Sequence, residues 1–99
     1  MTTITVIGRR WFQKTCGNTY HTATVLIDGQ AVFTSPKQYG YGDQYEQTAL
    51  DWIDADGFLE PREKGSNGSF EAAWRWAQRC GYTYEAHATD VARSKDLSP

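Results

Sequence analysis

Hydrophobic and polar positions alternate through the first third of the chain. Ile4-Thr5-Val6-Ile7, continuing beyond Gly8 as Arg9-Arg10-Trp11-Phe12, predicts a first strand. Ile4, Val6, Arg10 and Phe12 share one face of it, and Thr5, Ile7, Arg9 and Trp11 share the other. Gly8 in its middle marks a bulge or a close backbone approach. Cys16-Gly17-Asn18 is a turn signal, and Tyr20 to Ile27 predicts a second strand. Asp28-Gly29 between two alternating runs predicts a two-residue type I′ hairpin. That turn would pair Ile27 with Gln30, Val25 with Val32 and Ala23 with Thr34. Ala23, Val25, Ile27 and Val32 then form the core face, with Phe12 as a further core residue. Leu26, Ala31 and Phe33 fall opposite, where a second layer or a partner is expected. Ser35-Pro36 ends the third strand, because proline brings no donor to the ladder.

The period changes at Asp43. Tyr45, Ala49, Trp52 and Ile53 are spaced as a helical stripe, with Glu46, Asp51 and Asp54 on the exposed side. Asp43 followed three residues later by Glu46 has the form of a capping box, and Gly57 suits the C′ position. Residues 59–68 read as an exposed loop. Ser69 then caps a second helix from Phe70 to Cys80, closed by Gly81, with Phe70, Ala73, Trp74 and Ala77 on its apolar side and Trp76 pointing elsewhere. Tyr82 to Val91 alternates again and predicts the last strand, while residues 93–99 are expected to fray as a flexible C-terminal tail. The order β-β-β-α-α-β predicts an α+β fold over residues 1–92. Its antiparallel sheet of about four strands would carry both helices on one face, with the last strand beside the first.

Composition sharpens this picture at three points. The 99 residues suit one hydrophobic core, and the fourteen Trp, Tyr and Phe residues make up for a low aliphatic share. The net charge of -2 excludes a generally basic nucleic-acid binder. Charge is nevertheless uneven: residues 1–42 hold Arg9, Arg10, Lys14 and Lys37 against Asp28, whereas residues 43–60 hold Asp43, Glu46, Asp51, Asp54, Asp56 and Glu60 with no cation. A chain opening directly on a strand, without a charged start or a long apolar run, suggests no signal peptide or membrane span. A cytoplasmic setting follows, with Cys16 and Cys80 as reduced thiols.

Candidate chemistry is sparse. Gly40-x-Gly42 before a helix resembles a phosphate cradle, but Asp43 and Glu46 place negative charge there, and no GxxxxGK[ST] pattern is present. Cys16, Cys80, His21 and His87 lack the paired short spacings of a metal site, so neither a metal nor a cofactor is expected. An enzyme would need a carboxylate from the acidic helix in a cleft, or a Cys16–His21 pair with a third orienting group. Two binding surfaces are more economical. Tyr39, Tyr41, Asp43, Tyr45, Glu46, Asp51 and Asp54 form an aromatic and acidic surface suited to a basic host protein. Arg9, Arg10, Trp11, Tyr20 and His21 interleave cations with rings and suit nucleic-acid contact.

Arg9-Arg10-Trp11-Phe12, Gly17-Asn18-Thr19-Tyr20-His21 and Tyr39-Gly40-Tyr41-Gly42-Asp43-Gln44-Tyr45 together resemble small bacteriophage-encoded proteins over roughly the first half of the chain. The resemblance implies a non-enzymatic protein that binds host machinery, the anti-CRISPR and nuclease inhibitors being examples, and it carries over no catalytic residues.

Overall fold

The computed structural model describes residues 2–57, 59–66 and 68–97. Two long strands, β1 (Thr3–Gln13) and β2 (Asn18–Ile27), pair antiparallel from Ile4↔Ile27 to Gln13↔Asn18. β3 (Gln30–Thr34) follows through Asp28-Gly29, whose φ angles of 52° and 84° are both positive, as a type I′ turn requires. β4 (Gln38–Tyr39) returns to pair with the start of β2, Tyr39 lying opposite Tyr20. β3 and β4 thus act as one edge strand broken at Pro36. The break is sealed by Ser35, which donates its backbone N–H to the Ala23 carbonyl and accepts the Ala23 N–H on its hydroxyl at 2.9 Å.

After helices α1 (Gln44–Asp56) and α2 (Ala73–Cys80), β5 (Thr83–Val91) closes the order β3-β2-β1-β5. The expected placement beside the first strand holds, but β5 runs parallel to β1, so the α+β sheet is mixed rather than antiparallel. Direction follows from the crossover: the chain leaves the sheet on one side, forms both helices, and re-enters in the direction of β1.

Both helices cover one face. Ile4, Val6, Ala23, Val25 and Ile27 meet Tyr45, Ala49, Leu50 and Ile53 of α1, and Trp76 and Ala77 of α2. Gly8 is the point of closest approach, because a Cβ there would overlap the Tyr45 ring. No helix among the described residues is long and apolar enough to cross a membrane.

Five local expectations need correction. The β2–β3 register shifts between Val25 and Leu26, so Val25 pairs with Phe33 and Val32 is extruded into solvent. Phe33 consequently moves to the helix side and stacks on Trp52 at 4.5 Å. The Asp43–Glu46 capping box does not form: Glu46 donates its amide to the Asp43 carbonyl, while its carboxylate accepts from the Tyr84 hydroxyl at 2.7 Å. α2 begins at Ala73 rather than Phe70, since Ser69 gives its carbonyl to Gly65 and Phe70 bridges Lys64. The later start rotates the buried stripe to Ala73, Trp76, Ala77 and Cys80, leaving Trp74 exposed and Trp76 enclosed. Phe12 is exposed too, because it lies beyond the end of the helical layer.

The segment expected to fray behaves differently where it is described. Ser94–Leu97 forms a 3-10 turn across the far face of the sheet, burying Leu97 and placing its carbonyl on the Thr22 hydroxyl. Ser98 and Pro99 lie outside the described residues, as do Met1, Phe58 and Asn67.

Candidate functional site

One end of the sheet gathers most of the exposed aromatic surface. Side chains alternate along a strand, and the core takes Ile4 and Val6 from β1 and His21 and Ala23 from β2. Trp11 and Tyr20 therefore point to the face that the helices leave uncovered. Their pairing puts them side by side, and the Tyr20↔Tyr39 pairing extends the row onto β4. The Trp11 and Tyr20 rings stack at 5.9 Å with 26° between planes, and Tyr39 meets Tyr20 edge-on at 5.8 Å. Lys37 reaches back over the row, its ammonium 5.2 Å from the Tyr20 centroid and 5.9 Å from that of Trp11. Arg9 shares this face one alternation before Trp11. Tyr39 is 63% exposed and Tyr41 74%.

Around the corner, on the helix side, Phe12, Lys14, Thr19 and Tyr41 line a cleft of about 450 Å³. Arg10 borders it but is engaged: it holds Asp90 at 2.8 Å and the Gly42 carbonyl at 3.2 Å. Arg10 thus fastens the Tyr39–Gly42 loop to β5 instead of joining the aromatic row.

His21, expected among the nucleic-acid contacts, is a positioning residue. It is 1% exposed, with Nδ1 at 3.2 Å from the Gly40 carbonyl and Nε2 at 2.7 Å from the Thr48 hydroxyl. A carbonyl only accepts, so Nδ1 carries the proton and neutral Nε2 accepts from Thr48. The ring ties the loop that carries Tyr39 and Tyr41 to α1. Those bonds occupy both nitrogens and leave neither for the Cys16–His21 pair that an enzyme would need.

Burial lowers the His21 pKa below 6.5, and the bond to Gly40 only partly opposes this. A base whose folded pKa is depressed takes up fewer protons folded than unfolded, so its contribution to stability is complete above about pH 6.5 and shrinks as pH falls below it. The urea midpoint is expected to decline as pH is lowered from 6.5 toward 5. A His21→Gln variant should lack that part of the slope.

The acidic surface is less available than its spacing suggests. Tyr45 is buried in the core, where burial first and the neighbouring carboxylates second raise its hydroxyl pKa. Glu46 is held by Tyr84, whose own pKa is raised by burial and by that bond. Arg62 enters from the segment between the helices and takes Asp54 at 2.9 Å and Asp51 at 3.1 Å. A guanidinium that is itself buried therefore neutralises the centre of the carboxylate row. Of that surface, Tyr39, Tyr41, Asp43 and Asp51 keep exposed positions.

Sequence reasoning missed Lys37 and Arg62 as organising cations. Lys37 is two residues from Tyr39 and so on its face, but only if the chain resumes as a strand after Pro36. Arg62 had no local signal, since its partners lie eight and eleven residues earlier.

Among the described residues no three His, Cys, Asp or Glu side chains gather as metal ligands, and Cys16 and Cys80 are both free thiols. Comparison of the chain with known protein families, with curated proteins and with solved structures finds no match to any of them.

Proposed function

We propose that this chain is a small non-enzymatic module that binds single-stranded nucleic acid across the Trp11–Tyr20–Tyr39 row. The observation that carries the reading is the row itself. Three rings from three adjacent strands lie on the face away from the helices, with a lysine ammonium above them. Rings displayed on an open sheet can stack on unpaired bases, at about 1–3 kcal/mol per base. Lys37 is suitably placed for a phosphate beside the row, and Lys14 for a second one around the strand end, in the cleft on the helix side. With a net charge of -2 the chain offers little general attraction to a polyanion. Stacking must therefore supply most of the affinity, and the salt dependence should be shallow, with a logarithmic slope of about -1.4 for two phosphate contacts.

Fluorescence anisotropy with a labelled oligothymidylate at low salt tests this. Tyr39→Ala is expected to weaken binding roughly tenfold, the loss of one stacked base. Lys37→Ala should flatten the salt slope by about 0.7. Absence of binding at low salt removes the reading.

A second reading keeps the host-protein partner, including an inhibitor of a host nucleic-acid-handling complex. The observation favouring it is a cleft of about 500 Å³ in which Tyr39 and Tyr41 sit with Asp43, Gln44 and Gln47. Aromatic rings beside a carboxylate suit a basic protein surface. On this reading Tyr41→Ala combined with Asp43→Lys abolishes capture of such a partner, while Trp11→Ala leaves it intact.

A further inference from the structure

The two edges of the sheet are built differently. The β3–β4 edge carries the usual protections against strand addition: a bulge, short strands, and Pro36 with Lys37 at the break. β5, at the other edge, is nine residues long and follows β1 without a register shift. It contains no proline, glycine or lysine. Its two carboxylates are turned aside: Asp90 holds Arg10, and Glu85 lies 3.7 Å from His87 on the face away from the helices.

The backbone of that edge can be assigned. Thr83 donates its N–H to the Thr2 carbonyl, so Thr83 and every second residue after it turn their peptide groups toward β1. Tyr84, Ala86, Ala88 and Asp90 turn theirs outward, and among the described residues no strand pairs with that side.

We propose that β5 pairs antiparallel with β5 of a second copy, about a two-fold axis through His87, to make one continuous sheet. This register is set by the chain itself. Ala86 falls opposite Ala88 of the second copy, and Tyr84 opposite Asp90, so every outward N–H and C=O from Tyr84 to Asp90 in both copies finds a partner. A shift by two residues in either direction strands some of them. The side chains agree with a symmetric contact. The two alanines sit on the helix side, where larger groups would crowd two neighbouring α2 helices. On the other face Glu85 lies opposite Thr89 of the second copy and diagonal to its His87, within reach for long side chains. A self-complementary patch of this kind is what a two-fold interface requires. Because the strands run in opposite directions, the two aromatic rows lie at opposite ends of the joined sheet and stay uncovered.

Sedimentation equilibrium and a cysteine cross-link test the proposal. The chain is expected at twice its mass of 11.2 kDa. Ala88→Pro removes an outward N–H without breaking a bond to β1, and should give the single-chain mass with an unchanged circular dichroism spectrum. His87 is a non-hydrogen-bonded pair with itself across the axis, with Cα atoms about 4.5 Å apart, inside the range that a disulfide spans. His87→Cys in a Cys16→Ser background should therefore oxidise to a covalent dimer, while the Cys16→Ser parent does not. A wild-type chain that stays at single-chain mass up to its solubility limit overturns the proposal. So does a folded Ala88→Pro variant that remains dimeric. If Ala88→Pro fails to fold, the cross-link decides, and its absence counts against the two-fold at His87.

Discussion

Replacing Arg62 by alanine is expected to destabilise the fold by about 3 kcal/mol, the cost of leaving a half-buried charge without its partner. The arginine is 7% exposed and binds Asp54 twice, through the side chain at 2.9 Å and through its own amide at 3.0 Å. It also reaches Asp51 at 3.1 Å and lies over the Phe70 ring at 4.7 Å. Asp51 is mostly exposed, so water screens that contact and it adds little. Asp54 is largely covered, so its carboxylate is already short of solvent and loses its counter-charge as well when Arg62 goes. Urea unfolding should show the loss. Arg62→Met should behave much as Arg62→Ala does, because stem packing is the smaller part. Combining it with Asp54→Asn should recover part of the stability, since the stranded charge is then gone. Equal losses in the single and double variants would mean that packing, not charge, is what Arg62 supplies.

Trp76→Ala should cost about 4 kcal/mol, a large share of the roughly 5–15 kcal/mol that holds a domain of this size. Trp76 is fully buried and meets Tyr82 edge-on at 5.4 Å. Its indole N–H donates to the Glu60 carbonyl at 2.7 Å. The ring therefore fixes the irregular segment between the helices while filling the space between α2 and the sheet. A calorimetric scan of Trp76→Ala is expected to show the midpoint lowered by roughly 15–30 °C. Trp74→Ala, two residues away and exposed, should leave the transition within a few tenths of a kcal/mol of the wild type.

The contrast between these tryptophans shows where the sequence is legible. Their order in the chain suits either face of a helix, and the choice turns on where the helix starts. Ser69 has the chemistry of an N-cap, yet the Lys64–Phe70 bridge keeps residues 69–72 extended, and a rotation of the stripe follows. Strands were read more reliably. Ala23, Val25 and Ile27 alternate on one side of β2, and Asp28-Gly29 leaves one turn geometry, so the first hairpins follow from local rules. The β3 bulge did not, because extruding Val32 is repaid only by the stacking of Phe33 on Trp52 of a helix still to come.

The candidate site divides in the same way. Trp11, Tyr20 and Tyr39 were each identifiable as aromatics on strands or loops, and the first two share a face by parity alone. Their union into one row needed the β4 pairing, which rests on two residues after a proline. Asp51, Asp54 and Glu46 look like a solvated row because the groups that engage them, Arg62 and Tyr84, come from distant segments. Charge spacing on one helix says where carboxylates point and nothing of what meets them.

The reading of this chain as a binding module stands on the aromatic row, and indole resonances test it most directly. The four tryptophans give four side-chain N–H signals in a ¹⁵N-labelled sample, of which only Trp11 belongs to the row. Titration with unlabelled oligothymidylate should move the Trp11 signal and the amides of Tyr20, Lys37 and Tyr39, leaving Trp52, Trp74 and Trp76 in place. An unmoved Trp11, or shifts centred on Asp51 and the rest of the acidic helix, would contradict it.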